Sequence, residues 1–256
     1  MSLEEFAVAG VFGIPAVLFT TWTGYYLWTA LRIAASEPVS VGEAAARARE
    51  GEGTGEFVGT ARPADDGTFD APFSSERALL STYRVEEKGG PSDSWLTELA
   101  GSIDRPFLVE DESEGEGESD RILVDPAGAT ISPGNESIRE RTGDALPNEV
   151  RLRLSHHQAD LEFELEVIFA RNAARSRRYA EGYVAPGDRV HVYGGELEDS
   201  DESEVDATVV GGDGRYRITG GGESTAAWEF VEKAAVTGSM SVVAGGGAIV
   251  ALSAAL

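Results

Sequence analysis

The two ends of this chain carry the feature that most constrains its fold, namely long segments without a charged residue. The first runs from Phe6 to Leu31. A helix of that length would reach about 39 Å at roughly 1.5 Å per residue, enough to cross the roughly 30 Å hydrocarbon layer of a bilayer. Aromatic residues cluster near its end, as they do at membrane interfaces, at Trp22, Tyr25, Tyr26 and Trp28. We predict a transmembrane helix over residues 6–31, after a short tail over residues 1–5.

A cleaved signal peptide is the alternative for this first segment. It fits less well, because Glu4 and Glu5 stand where a signal peptide has basic residues, and because the apolar run is too long. We therefore expect a retained anchor.

The second uncharged segment, Ala234–Leu256, predicts a second transmembrane helix over residues 234–256. Small residues at a spacing of four let two membrane helices approach closely, and Ala9 with Gly13 offers such a face on the first span. We therefore predict pairing between the two spans; the alternative is an apolar tail that lies on the folded domain. In the second segment this spacing occurs at Ala234 and Gly238, and again at Gly247, Ala251 and Ala255.

Two spans would place both termini on one side of a cell membrane and the middle of the chain on the other. Basic residues near the membrane ends favour the cytoplasmic side. We therefore predict a two-span protein of the cell membrane whose middle domain is cytoplasmic. The basic residues concerned all belong to the middle segment and are Arg32, Arg47, Arg49, Arg215, Arg217 and Lys233.

The charge balance excludes some classes of function. The chain has 45 acidic and 21 basic residues and a net charge of -24, so nucleic-acid phosphates would be repelled and no nucleic-acid partner is expected. Lys88 and Lys233 are its lysines, and every other basic residue is arginine, which is typical of a halophilic, acidic protein. The absence of cysteine excludes disulfides, thiol catalysis and cysteine-based zinc sites.

The segment between the predicted spans is β-rich. A linker over residues 32–55 contains a short helix over Val41–Ala48, and a β domain over residues 56–220 precedes a second linker over residues 221–233. Acidic loops are predicted near residues 110–120 and 196–206, where there are too few apolar side chains to pack. The fold class is mainly β: a small barrel-like or sandwich-like β domain inserted between two transmembrane α-helices. The predicted strands are Gly55–Arg62, Leu79–Glu86, Pro106–Glu110, Arg121–Val124, Glu149–Ser155, Leu161–Phe169, Arg178–Val184, Arg189–Tyr193, Val205–Val210 and Tyr216–Thr219.

Motifs for chemistry are scarce. His156 and His157 follow the predicted strand Glu149–Ser155 and are expected to be a surface or strand-end pair; on a strand, neighbouring side chains point to opposite faces and cannot share one metal ion. His191 is expected to face solvent. We predict no catalytic, cofactor-binding or metal-binding residues and no cofactor. A run of arginines could bind anionic lipid or an anionic partner, or it could pair with the surrounding carboxylates. These residues are Arg171, Arg175, Arg177 and Arg178.

The order of motifs in the middle segment resembles the GIDE domain, also called the BAM ("beside a membrane") domain, of MULAN-type E3 ubiquitin ligases and their prokaryotic relatives. The resemblance covers about residues 39–220 and implies a span, a β domain and a second span. It also implies ubiquitin transfer, but that activity needs a zinc-binding RING module with Cys and His ligands, and this sequence has no cysteine. The motifs are Phe57–Ala61, Ala71–Ser74, Tyr83–Glu87, Trp95, Pro106–Asp111, Ile122–Ala129, Arg178–Glu181 and Pro186–Gly194.

These observations lead to three functional expectations. The first is a membrane-anchored, non-catalytic module that contacts the lipid bilayer or an unknown protein partner. The second is a component of a ubiquitin-like conjugation pathway, of the E3 ligase family, whose zinc module lies on another chain. The third is a hydrolase with two closely spaced carboxylates.

Overall fold

The structure is a computed structural model, and two compact units make up the chain. Unit 1 combines Met1–Glu37 with Glu223–Leu256, and unit 2 is Pro38–Gly222. The structure describes residues 3–35, 38–51, 55–65, 67–89, 94–111, 120–134, 136–142, 148–157, 176–200, 205–211, 216–221 and 231–244.

Unit 1 contains two described helices, α1 (Leu3–Ala35) and a C-terminal helix over residues 231–244. α1 includes the whole of the first predicted span, whereas residues 245–256 of the second lie outside the described residues. No helix in the part of the chain that the structure describes is both long enough and apolar enough to cross a membrane.

Unit 2 is built mainly of strands, as the sequence predicts. Its described helices are α2 (Val41–Arg49) and α3 (Asn148–His157). Its described strands are β1 (Gly55–Pro63), β2 (Phe69–Asp70), β3 (Arg77–Ala78), β4 (Leu80–Gly89), β5 (Ser94–Asp104), β6 (Phe107–Glu110), β7 (Arg121–Val124), β8 (Thr130–Ser132), β9 (Ser137–Thr142), β10 (Ser176–Val184), β11 (Arg189–Asp199), β12 (Ala207–Val210) and β13 (Arg217–Gly220).

Five strands close a small barrel in the order β1-β6-β7-β12-β11, because β11 also pairs with β1. β1, β6 and β7 are neighbours in the barrel and pair antiparallel, and β11 lies antiparallel beside β1 on its other side. β12 then fits between β11 and β7 and runs parallel to β7. Closure leaves few strand edges of the barrel unpaired.

Two of the barrel strands continue past an interruption. β12 is followed by β13, which pairs with an earlier part of β11 and places Gly220 opposite Val190. β7 is followed by β8, which pairs with β13 in parallel. Tyr216 lies in the gap between β12 and β13, and its hydroxyl donates a 2.8 Å hydrogen bond to the carbonyl of Asp125 in the gap between β7 and β8. This hydrogen bond connects the chain between β12 and β13 to the chain between β7 and β8.

The second sheet has the order β5-β4-β10-β9, and all of its pairings are antiparallel. β10 leads into barrel strand β11 through a turn at Pro186, Gly187 and Asp188, in which Gly187 has φ 94°. Glycine adopts this left-handed conformation without the steric penalty that a Cβ brings. The Asp188 carboxylate closes the turn by accepting a 2.8 Å hydrogen bond from the Ala185 N–H.

α2 closes one face of the barrel core. Its buried side chains, Val41, Ala44, Ala45 and Ala48, recur at helical spacing and pack among the barrel's apolar residues. Ser40 is the N-cap of this helix, and its hydroxyl accepts a hydrogen bond from the Glu43 N–H.

α3 packs on a second core that belongs to the four-stranded sheet. Val150 and Leu154 are buried there, while Leu152 is exposed. The sequence prediction of a strand over Glu149–Ser155 is therefore wrong. Val150, Leu152 and Leu154 alternate as they would on a strand, but a helix buries only those two of the three that are four residues apart.

Most of the other predicted elements are confirmed. The helix over Val41–Ala48 and the strand over Arg121–Val124 correspond to α2 and β7, and the remaining predicted strands overlap described ones, except Leu161–Phe169, which lies outside the described residues. β11 continues through Asp199, so the first four residues of the predicted acidic loop 196–206 belong to a strand. The sequence analysis does not predict β5 and β9, which pair with β4 and β10, nor the short strands β2, β3 and β8.

Candidate functional site

The four arginines singled out in the sequence do not form one described surface. Arg171 and Arg175 lie outside the described residues. Arg177 is 1% exposed, and its Nη2 is 3.3 Å from the carboxylate of Glu87. The prediction of a lipid or partner contact is therefore at odds with the structure for Arg177, because a buried and paired guanidinium does not reach an external ligand.

Arg178 is half-buried and lies over the ring of Trp95, with its guanidinium carbon 4.0 Å from the ring centroid. This is a cation–π contact between β10, which carries Arg178, and β5, which carries Trp95. It gives Arg178 a role in holding β10 and β5 together across β4.

Two of the sequence motifs meet at a buried carboxylate. Glu181 on β10 is 1% exposed, and its two oxygens accept hydrogen bonds from the N–H groups of Phe73 at 2.6 Å and Ser74 at 2.8 Å. Charge-assisted bonds of this kind are about twice as strong as neutral ones. The carboxylate therefore fixes the turn that precedes β3.

The histidine predictions need correction. His191 is 1% exposed rather than solvent-facing, and its Nε2 is 3.0 Å from the carboxylate of Glu56 on β1. His156 and His157 lie at the end of α3 and not on a strand. Within the described residues, no group of three or more potential ligands is placed to hold a metal ion.

A cavity of about 460 Å³ opens where α3 faces the short β2–β3 pair. Its volume is within the range typical of small-molecule sites. We call it the Arg-lined cavity, and its lining residues are Thr68, Phe69, Asp70, Arg77, Arg105, Leu152 and Arg153.

The elements that form this cavity come from distant parts of the sequence. Asp70 and Arg77 are cross-strand partners on β2 and β3, Arg105 follows β5, and Arg153 lies on α3. The Glu181 carboxylate holds the turn between β2 and β3, so the β2–β3 wall of the cavity depends on it.

Two of the guanidinium groups have described contacts with the main chain or with an aromatic ring. Arg153 donates from Nε to the carbonyl of Pro72 at 3.0 Å, and Arg105 lies over the ring of Phe69 at 5.9 Å. Among the residues that the structure describes, neither Arg77 nor Arg153 has a carboxylate within ion-pair distance. Thr68 adds a hydroxyl whose buried Oγ1 has no hydrogen-bond partner there.

A second cavity, of about 470 Å³, lies at the beginning of α2. The N–H groups that could receive an anion there are occupied, because the carboxylate of Asp111 accepts hydrogen bonds from Val41 and Gly42 at 2.9 and 3.1 Å. Asp111 thus caps α2 from the barrel side. Among the described lining residues, Asp70 is the acidic residue of the first cavity and Asp111 that of the second. The carboxylate of Asp120 also lies beside Gly42, close to that of Asp111.

The two helices of unit 1 meet through hydroxyl groups. The Oγ atoms of Thr20 and Ser241 share a 2.6 Å hydrogen bond, and those of Thr23 and Thr237 are 2.9 Å apart. Gly238 lies against Thr23, because a Cβ added there would be 3.5 Å from the Thr23 methyl.

Large apolar side chains of these helices are exposed instead of facing the partner helix. On α1 and on the C-terminal helix they are Val11, Ile14, Val17, Leu18, Trp22, Tyr25, Leu27, Trp28, Leu31, Val236, Met240, Val242 and Val243. The surroundings of Ala9, Gly13 and residues 247–255, where the sequence places further contacts between the helices, lie outside the described part of the chain.

Sequence reasoning misses the arginines of the Arg-lined cavity. Arg77, Arg105 and Arg153 lie far apart in the sequence, and only the tertiary fold brings them together. The arginines between residues 171 and 178 are conspicuous in the sequence. The two that the structure describes, Arg177 and Arg178, contact Glu87 and Trp95 inside the second sheet.

Comparisons with family models, with curated proteins and with solved structures find no match for this chain. The resemblance to the GIDE or BAM domain stays a prediction from the order of sequence motifs.

Proposed function

We propose that this chain is a two-span protein of the cell membrane that presents its β-rich unit as a non-catalytic module for contact with protein or lipid. The observation that carries this proposal is the arrangement of the helix pair in unit 1. Small and hydroxylated residues lie between the helices, and large apolar residues face outward.

This arrangement is the reverse of what water favours. In water, an amphipathic helix pair buries its apolar faces and exposes polar ones. In lipid there is no hydrophobic force between helices, so small residues and interhelical hydroxyl bonds drive pairing. Contiguous exposed apolar surface also indicates contact with a membrane or another protein.

The uncharged segments 6–31 and 234–256 and the resemblance to the GIDE or BAM domain support the same layout. The β-rich unit adds a rigid closed barrel with a second sheet, a scaffold suited to presenting a binding surface.

Alkaline carbonate extraction of membranes from cells that express the full chain tests the anchor. We expect the protein to stay in the pellet and to be released by detergent. The double variant Leu18→Glu with Val242→Glu places charges on the outward faces and should shift protein to the supernatant, whereas Thr21→Ser should not. Wild-type protein in the carbonate supernatant would contradict the proposal.

The orientation has a separate test, because the natural chain contains no cysteine. Ala127→Cys introduces one thiol at an exposed turn of the β-rich unit. If this unit is cytoplasmic, as the basic flanks favour, a membrane-impermeant maleimide should label it only after the cells are permeabilised. Labelling of intact cells would place the unit outside.

A further inference from the structure

The Arg-lined cavity reverses the charge of the protein around it. In the whole chain, 45 acidic residues stand against 21 basic ones, but the described residues of the cavity lining include Arg77, Arg105 and Arg153 against Asp70. Three guanidinium groups and one carboxylate give these described residues a net charge of about +2. Acidic residues that keep a protein soluble in concentrated salt do not explain a cavity with a positive net charge.

The arginines are also arranged for an external ligand. Arg153 is oriented by the Pro72 carbonyl through Nε alone, and a guanidinium has further N–H donors on its two terminal nitrogens. Arg77 is exposed on β3 and has no ion-pair partner among the described residues, although Asp70 lies opposite it on β2. The unpartnered Thr68 hydroxyl on the same lining is a position that a ligand or water commonly satisfies.

We propose that the Arg-lined cavity binds the phosphoryl group of a phosphorylated ligand. A phosphomonoester carries about −1.5 to −2 charges at neutral pH, which matches the charge of the lining. Arginine's planar fork binds phosphate oxygens in bidentate fashion.

The cavity holds more than a phosphate. Its volume of about 460 Å³ exceeds the roughly 30 Å³ of one water molecule many times. Phe69 and the exposed Leu152 give it apolar wall for the organic part of a ligand. The phosphoryl group could belong to a soluble phosphorylated metabolite or to a phospholipid headgroup, and both present the same oxygens to the arginines. The site does not depend on the membrane anchor.

Isothermal titration calorimetry of the full chain in neutral detergent, at about 0.1 M salt, tests this site, since surface charges are then screened beyond about 10 Å. Phenyl phosphate is the soluble probe, and short-chain phosphatidic acid is the lipid probe, with short-chain phosphatidylcholine for comparison. We expect saturable binding of phenyl phosphate or phosphatidic acid. Tighter binding of phenyl phosphate assigns a soluble ligand, and tighter binding of phosphatidic acid assigns a lipid.

The variants must distinguish the effect of the cavity arginines on binding from the effect of the protein's net charge. Arg77→Gln and Arg153→Gln should each weaken binding by about 10-fold or more, because a hydrogen bond to a charged group contributes about 1.5–3 kcal/mol. Arg47→Gln removes the same charge from exposed α2 and should leave affinity within about 2-fold, consistent with screened surface charge. Asp70→Asn should tighten binding a few-fold by removing the opposing carboxylate.

Arg77 is exposed, so its variant should keep the fold, and an unchanged thermal unfolding midpoint verifies this. The absence of saturable binding by either probe would overturn the proposal. So would an equal loss of affinity in Arg47→Gln and Arg77→Gln, or weaker binding in Asp70→Asn.

Discussion

The carboxylate of Glu181 anchors the main chain at Ser74, whose N–H donates a 2.8 Å hydrogen bond to Oε2 from a position 107 residues earlier in the chain. The other carboxylate oxygen accepts a hydrogen bond from the Phe73 N–H. Ser75, the residue after Ser74, has a positive φ of 65°. A serine in this left-handed conformation is strained unless its surroundings hold it. Glu181 thus stabilises the turn that leads to β3, and with it one wall of the Arg-lined cavity.

Replacing Glu181 with Gln should loosen this turn. The amide keeps one acceptor oxygen but points an NH₂ donor at a main-chain donor, so one buried N–H loses its partner, a loss of about 1–3 kcal/mol. Hydrogen exchange measured by mass spectrometry should show faster exchange in peptides covering residues 71–75. Glu136→Gln is the matched control, because Glu136 is exposed and lies directly before β9. It should leave the exchange of these peptides unchanged. Unaltered protection in Glu181→Gln would show that the carboxylate does not hold the turn.

Arg177 and Glu87 should respond as a coupled pair. Both are almost fully buried, and removing one partner leaves an uncompensated charge, which typically costs about 3–5 kcal/mol. We expect Arg177→Met and Glu87→Leu each to lower the free energy of unfolding strongly, and the double variant to be more stable than either single one. Urea unfolding of all four proteins gives the coupling energy. Additive losses would mean that the two groups do not interact.

Gly59 should not tolerate a side chain. A Cβ there would be 2.6 Å from the main-chain oxygen of Glu110 and 2.8 Å from a methyl of Val41, so β1 lies too close to β6 and α2 to admit it. Gly59→Ala should destabilise the β-rich unit by about 1–3 kcal/mol, the usual effect of overpacking. Thr60→Ala, at the next position of the same strand, should lose less than about 1 kcal/mol. Equal urea midpoints for the two variants would argue against this close packing.

Tyr216 should make stability fall at high pH. Burial, and then the charge of Asp125, raise the pKa of its hydroxyl well above the ordinary value of 10.0. Because the folded protein holds this proton more tightly than the unfolded chain, the stabilisation is complete below pH 10 and is lost as the pH rises above it. The free energy of unfolding should then fall by up to about 1.4 kcal/mol per pH unit from this group.

The variant Tyr216→Phe isolates that contribution. It removes the titrating hydroxyl and its hydrogen bond to Asp125, so it should be less stable at neutral pH but should lose less stability between pH 10 and 11. Urea unfolding at several pH values measures both effects. The same slope in the variant and the natural chain would assign the alkaline loss to other groups.

Local patterns in the sequence predict the barrel better than the second sheet. Barrel strands such as β7 and β12 are short apolar runs, which are visible in the sequence without the fold, and their side chains alternate between buried and half-buried. β5 lacks this pattern, since most of its first half is exposed and only its pairing with β4 makes it a strand. The sequence of α3 alternates apolar Val and Leu residues with Arg, which is the pattern of a strand. The helix is recognised only from its packing, which buries Val150 and Leu154.

The site was harder to predict than the fold for a related reason. Arginines adjacent in sequence, such as Arg177 and Arg178, point to opposite faces of β10 and make different internal contacts with Glu87 and Trp95. Arg77, Arg105 and Arg153 converge only because the turn held by Glu181, the end of β5 and α3 meet. No spacing in the sequence encodes such a convergence.

Disulfide cross-linking in membranes tests the central claim most directly. Thr20→Cys with Ser241→Cys replaces two oxygens that are 2.6 Å apart, in a chain with no other cysteine, so the sulfurs would be within bonding reach. Mild oxidation of carbonate-washed membranes should yield an intramolecular disulfide in the pellet, detected by a mobility shift that reductant reverses. Thr21→Cys with Ser241→Cys should not form it. A cross-linked or reduced protein recovered in the carbonate supernatant, or equal cross-linking of the two pairs, would contradict a membrane-embedded helix pair.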